Sequence, residues 1–387
     1  MKWPSTIFFL LLLGIESICN TASAESLLDA RQGFTTTLAK KEVDGAPVSD
    51  PPKNVLQSVK YNSPVGDLAA YTTPSPQDGK RHPAIIWIFG GLSNSINETA
   101  WASATPENDQ SASAFRDAGI IMMYPSLRGG NRNPGFHESF YGEVNDILSA
   151  LDYLEKKEYV DPKRIYLGGH STGGTLALLV AESTDQFRSI FSFGPVSDVR
   201  AYGADALVFD ITKKKEFELR APVKWLNAIS KPTFVFEGTD KPSNIAAFYI
   251  LLKASTNPLI HFYSIRGKNH FSTLAPITKV IAAKILLDDG PSSNIQFTQE
   301  ELEGGSSFQK ATQDQAIQVD PKLALAYNNR GFLYYQQKNY EKARNDYNEA
   351  ITGWYGDRAG DCRLDFGVPH GTTARVTRSG ALGTSPP

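Results

Sequence analysis

The amino-acid sequence predicts an α/β domain, a mostly parallel sheet covered by helices on both faces, followed by a small all-α unit. The first observation is a set of short apolar runs at Ala84–Phe89, Ile120–Tyr124, Ile165–Leu167, Ile190–Phe193, Thr233–Phe236 and Leu259–Ile265, with helical segments between them. Uninterrupted apolar strands separated by helices are what a doubly covered parallel sheet requires. The second is a helix whose Val144, Ile147, Leu148, Leu151 and Leu154 make one apolar stripe, while Glu143, Asp146, Glu155, Lys156 and Lys157 fall mainly off it. It ends before Asp161-Pro162, since proline stops further helix, and a strand from Arg164 to Leu167 follows. The third is a self-similar pair near the C-terminus, Ala316-Ile317 and Ala350-Ile351.

A chain of 387 residues has room for two or three folded units. Lys+Arg 39 against Asp+Glu 41 gives a net charge of −2, which lacks the positive field of a nucleic-acid binder. A hydrophobic fraction of 41% with 11% aromatics supports a substantial core. Cys19 and Cys362 are the two cysteines and neither sits in a CxxC pair, so a structural zinc site and a disulfide scaffold are both excluded. No metal or organic cofactor is expected.

Residues 1–24 read as a secretory signal: Lys2, an apolar run from Ile7 to Leu13, and the small-residue site Ala22-Ser23-Ala24. The uncharged stretch ending at Glu16 is short of the roughly 20 residues that span a bilayer. Cleavage after Ala24 would remove Cys19 and leave Cys362 unpaired, so no internal disulfide is expected in the secreted or periplasmic product. Residues 25–54 form a lead-in containing Pro47, Pro51 and Pro52, residues 55–290 the α/β domain, and residues 291–310 a linker with a Gly/Ser break. The two Ala-Ile pairs lie 34 positions apart, the period of a tetratricopeptide repeat. Tyr327, Gly331, Tyr334, Ala343, Tyr347 and Ala350 supply the small and aromatic positions between, so 311–353 resembles that repeat family, a possible protein-binding unit. Residues 354–387 have little periodicity and read as a disordered tail or an altered chain end.

The strand before Gly168 runs into Gly169-His170-Ser171-Thr172-Gly173 and then an apolar helix. This is a G-x-S-x-G motif in its strand–turn–helix context. A tight turn lifts the Ser171 hydroxyl above the sheet edge, and the helix N-terminus faces developing negative charge. The Thr172 amide is then a candidate oxyanion donor. With Leu127-Arg128-Gly129-Gly130, Gly142-Glu143-Val144-x-Asp146 and Asp161-Pro162-x-Arg164-Ile165, the segment resembles the catalytic domain of the prolyl oligopeptidase family, which implies an α/β-hydrolase fold. Family members usually carry a large N-terminal β-propeller, and residues 25–55 are too few to encode one.

A serine hydroxyl needs a base. Of the six histidines, His370 lies in the tail, His82 before the first strand, His137 in a Gly/Pro-rich loop, His261 inside a strand pattern with burial expected, and His170 beside the serine on the turn. His270, in Gly267-Lys268-Asn269-His270-Phe271 after the last strand, is where a family-like base should sit. For the acid, Asp240 in Glu237-Gly238-Thr239-Asp240 is chosen, with Glu237 and Asp198 as substitutes; the family spacing points to the position of Lys241. Either substitute could equally be a loop charge or helix cap. The second oxyanion donor is expected from Phe89-Gly90-Gly91-Leu92, at Gly91 or Leu92. The expectation is an exported serine hydrolase acting on a peptide or small ester substrate through an acyl-enzyme at Ser171. The alternatives are a carboxylesterase, or a non-catalytic binding protein built on the repeat.

Overall fold

The structure is a computed structural model that describes residues 25–304, 314, 317, 318, 321, 323–355, 362–365 and 375–378. The expected signal segment, residues 1–24, and His370 lie outside the described residues. Strands β1 (Gln57–Ser63), β2 (Gly66–Thr72), β3 (His82–Ile88), β4 (Ile121–Pro125), β5 (Val160–His170), β6 (Ile190–Phe193), β7 (Thr233–Asp240) and β8 (Ile260–Asn269) form one sheet in the order β1-β2-β4-β3-β5-β6-β7-β8. From β3 to β8 all pairings are parallel. The helices of this domain are α1 (Leu27–Arg31), α2 (Ser113–Asp117), α3 (Glu143–Glu155), α4 (Thr172–Ala181), α5 (Lys214–Glu218), α6 (Ile245–Ala254), α7 (Leu274–Leu287) and α8 (Gln299–Leu302).

The apolar runs are uninterrupted because both faces of the sheet are covered. Along β3, Ala84, Ile86 and Ile88 enter a core with Val144, Ile147 and Leu151 of α3 and Leu176 of α4. Ile85 and Trp87 enter the opposite core with Phe115 of α2 and Ile277, Ile281 and Ile285 of α7. Strands β1 and β2 form an antiparallel hairpin added through β2 to β4. They escape a search for apolar runs because Ser58, Lys60 and Asn62 are exposed between the inward-facing Val59, Tyr61 and Ser63, the alternation of a half-solvated edge. Strand β5 also starts earlier than Arg164. The register shifts between His82↔Val160 and Ala84↔Ile165, so Pro162 falls in the irregularity, where a missing amide donor is tolerated.

The lead-in is tied to the domain. Ser26 caps α1, and Arg31 donates to the carbonyls of Tyr141 at 2.7 Å and Leu219 at 2.6 Å. Helices α9 (Ala324–Gln336) and α10 (Tyr340–Tyr355) form the C-terminal pair. A side chain at Gly331 would come within 3.1 Å of the Tyr347 ring, so glycine lets the two helices close. Arg330 bridges Asp346 and Asp314, each at 2.7 Å. In the segment expected to be disordered, β9 (Cys362–Asp365) and β10 (Arg375–Arg378) pair antiparallel; the rest of 356–387 lies outside the described residues. No helix among the described residues is long and apolar enough to cross a membrane.

Candidate active site

Ser171 sits between β5 and α4 at φ 57°, ψ −113°, a backbone conformation that costs a non-glycine residue on the order of 1–3 kcal/mol. The turn is held through its backbone: the Ser171 amide donates to Phe193 O at 2.7 Å, and the Ser171 carbonyl accepts from the Thr175 amide at 2.9 Å. Space for it comes from flanking glycines. A Cβ on Gly173 would lie 2.2 Å from Ile88 O, and one on Gly169 would lie 2.4 Å from Gly173 O. Thr172 is the first residue of α4, whose amide no helical bond uses. Its hydroxyl donates a short hydrogen bond to the carbonyl of Gly91, which pins the 89–92 loop over the helix N-terminus beside Ser171.

His270 follows β8 directly. Its Nδ1 lies 3.1 Å from Oε2 of Glu237, which is 1% exposed. The same oxygen accepts from the Asn244 amide at 3.1 Å, and Oε1 accepts from the Gly238 amide at 2.7 Å, so the carboxylate is fixed from both ends. The His270 amide donates to Pro242 O at 2.8 Å. Gly194, at φ 60°, passes so close that a Cβ there would meet His270 Cε1 at 2.4 Å and Glu237 Oε2 at 2.9 Å. Gly194→Ala should therefore displace the imidazole and lower kcat by about 100-fold, the scale expected for a 1 Å misplacement. Steady-state kinetics on an activated ester, beside an unchanged circular dichroism spectrum, checks this.

The acid chosen from the sequence, Asp240, does not meet the imidazole. Strand β7 continues past Phe236, pairing Glu237 with Ser264, Gly238 with Ile265 and Asp240 with Asn269. Asp240 is exposed at its end and accepts from the Thr239 hydroxyl at 3.0 Å. Glu237, held as a substitute, takes the place instead. Asp198 caps a short helix, accepting from the Arg200 amide at 2.9 Å. His261 is exposed on β8 and stacked on Phe234, not buried as its strand pattern suggested. His82 pairs with Asp78 at 3.1 Å.

A serine turn after β5, a buried carboxylate on β7 and an imidazole after β8, in this order along a doubly wound sheet, is the arrangement that activates a hydroxyl for acyl transfer. Residues 106–276 match the prolyl oligopeptidase family model, and residues 324–352 match the tetratricopeptide repeat. The match lies within the α/β domain and bears out its resemblance to the prolyl oligopeptidase family. This family domain is 30% identical over 145 residues to the uncharacterized peptidase YtmA of Bacillus subtilis (strain 168), covering 34% of this chain and 56% of that protein. It is 27% identical over 155 residues to the prolyl endopeptidase of Elizabethkingia meningoseptica, covering 37% of this chain and 21% of that protein. The chain thus spans about half or less of the length of these relatives. A Mycobacterium tuberculosis puromycin-hydrolyzing peptidase shares the fold, with a TM-score of 0.50 and 18% identity over 62% of this chain and 40% of that one.

Within the family domain, His170 was set aside as a base, and the structure gives it another place. It is fully buried, its ring centroid 4.5 Å from that of His270, and its Nε2 lies 3.0 Å from the His270 carbonyl. Burial first, then the neighbouring His270, lowers its pKa to about 3, so it stays neutral and donates from Nε2. The unfolded chain then binds more protons than the folded one between pH ~6.5 and the folded value. Stability present above pH ~6.5 should be lost as pH falls toward 3, by a few kcal/mol at roughly 1.4 kcal/mol per unit. Urea unfolding at pH 7 and pH 5 should show this slope in the native protein and a weaker one in His170→Gln.

Proposed function

We propose that the chain is a hydrolase that cleaves an ester or peptide bond through an acyl-enzyme on Ser171. The observation that carries this reading is the buried Glu237–His270 pair, 3.1 Å apart, beside a serine held on a strained turn. Ser171 Oγ attacks the carbonyl carbon while His270 Nε2 takes its proton, and Glu237 accepts from Nδ1–H and stabilises the imidazolium. The oxyanion is met by the amide of Thr172 and that of Gly91 or Leu92 at the α4 N-terminus. The imidazolium then protonates the leaving group, and water repeats the sequence in reverse to release the acid. A fluorophosphonate probe should label the native chain at Ser171 and leave Ser171→Ala unlabelled; an unlabelled native protein, correctly folded, would overturn the reading.

Peptide bonds are the favoured substrate, because the two relatives compared above are named as peptidases. Carboxylesterase activity uses the same groups, and kcat/KM on matched p-nitroanilide and p-nitrophenyl ester substrates separates the two. We infer that the repeat recruits a protein partner through its exposed Phe332, Tyr335 and Tyr340. Export is inferred from the Lys2 to Ala24 leader pattern. Its test is the N-terminal sequence of the mature chain, expected to begin at Glu25.

A further inference from the structure

Glu143, the first residue of α3, is a buried carboxylate with an unmet oxygen. It is 2% exposed. Its Oε1 accepts from the Glu138 amide at 2.6 Å and from Asn94 Nδ2 at 3.1 Å, both neutral donors, while Oε2 is buried without a hydrogen-bond partner. The neighbouring guanidinium groups are engaged elsewhere. Arg128 donates to Asp146 and Glu138, Arg220 to Glu216, and Arg31 to the carbonyls of Phe140, Tyr141 and Leu219. His137 Nε2 lies 3.9 Å from Oε1, beyond hydrogen-bond reach.

A second carboxyl without donors, Glu182, is pushed well above its usual range by burial. Glu143 differs. Burial opposes its ionisation too, yet the charges of His137 and Arg128 and its backbone donors hold it below the usual carboxylate range. Buried ionised groups are ordinarily paired. Glu143 also lines a cavity of about 30 Å³ together with Gly91, Leu92, Phe140 and Thr172, so the unmet oxygen belongs to a side chain bordering the space next to both oxyanion candidates. The cavity admits a group of one or two heavy atoms, since a single water needs roughly 10–15 Å³. Water would fill it; a bound cation would in addition give Oε2 a charged donor, which neither His137, also lining the cavity and 3.9 Å from Oε1, nor the engaged Arg128 supplies.

We propose that Glu143 forms a cation subsite that takes a primary ammonium of the substrate close to the scissile carbonyl. This rests on the hydrolase reading above. The ammonium is supplied either by a free α-amino group or by a lysyl side chain, and the substrates distinguish them. In one arm, alanine p-nitroanilide is compared with N-acetyl-alanine p-nitroanilide; in the other, N-acetyl-lysine with N-acetyl-norleucine p-nitroanilide. The native chain should prefer the cationic member of one pair by about tenfold or more, as a charge-assisted contact in a desolvated site gives, and Glu143→Gln should collapse that ratio. Ratios near one in both arms, or a preference untouched by Glu143→Gln, overturn the proposal. If the variant does not fold, methylammonium decides with the native chain alone: it should compete with the preferred cationic substrate and bind by ligand-observed NMR, and absence of binding overturns the proposal. Turnover of p-nitrophenyl acetate and fluorophosphonate labelling report on the hydrolase reading separately. If both fail while methylammonium binds in the native chain and not in Glu143→Gln, the subsite stands and the reaction assigned to it falls.

Discussion

Ser171→Ala should lower kcat on a short activated ester by about 10⁴ to 10⁶, the range seen when the nucleophile of a serine–histidine unit is removed. Folding should persist, because the turn is held by the Ser171 amide to Phe193 O and by its carbonyl to the Thr175 amide, and alanine keeps both. Alanine also keeps the strain, since φ stays near 57°. Ser171→Gly should therefore be the more stable of the two inactive variants, by about 1 kcal/mol from relief of that backbone, visible as a higher Tm. His270→Ala should be comparably inactive, and the double variant no worse than either, because the two act as one unit. An active Ser171→Ala, purified and folded, would remove this serine from the mechanism.

The parallel part of the sheet was legible because burial on both faces makes β3 to β8 apolar without interruption, a pattern that survives in sequence as Ala84–Phe89 and Thr233–Phe236. The hairpin was not legible by that rule: Lys60 and Asn62 face water while Tyr61 and Ser63 face the core. Ser171 and His270 could be singled out because each follows an identifiable strand, so its height above the sheet is set locally. The acid depends on where β7 ends and on its register with β8, and register is a pairing property that no single segment carries. Reading β7 as ending at Phe236 left four residues as an undivided loop. In the fold, Glu237 is still within the strand, opposite Ser264, and its longer side chain reaches the imidazole while Asp240 lies at the exposed end. Nothing local to Gly194 marks it: that its missing side chain leaves room for the Glu237–His270 pair is knowable only once β6, β7 and the His270 turn are assembled.

Glu237→Gln should cost about 10⁴ in kcat, the loss seen when an orienting carboxylate becomes an amide and the imidazole takes the wrong tautomer. The local bonding sets how that loss arises. Glu237 accepts from three donors, the Gly238 and Asn244 amides and His270 Nδ1, so every contact asks for an acceptor. Glutamine offers one oxygen and one NH₂ group. If its oxygen turns to Oε1's place, the NH₂ faces both the Asn244 amide and Nδ1, and His270 must give up its Nδ1 proton and carry it on Nε2, where it can no longer accept from Ser171. If its oxygen turns to Oε2's place, the NH₂ faces the Gly238 amide and leaves a buried donor without a partner, which costs about 1–3 kcal/mol. Both outcomes leave a backbone donor without its acceptor and lower Tm, the Asn244 amide in the first and the Gly238 amide in the second, and the first also removes the Nδ1 proton and lowers kcat. Asp240→Asn should stay within about twofold of the native rate, because surface changes away from such networks alter little, and Asp198→Asn should affect only its local helix cap. A kcat series on p-nitrophenyl acetate with parallel thermal unfolding reads all three. A healthy Glu237→Gln beside a crippled Asp240→Asn would mean that the loop after β7 rearranges in solution and that the carboxylate serving His270 is the exposed one.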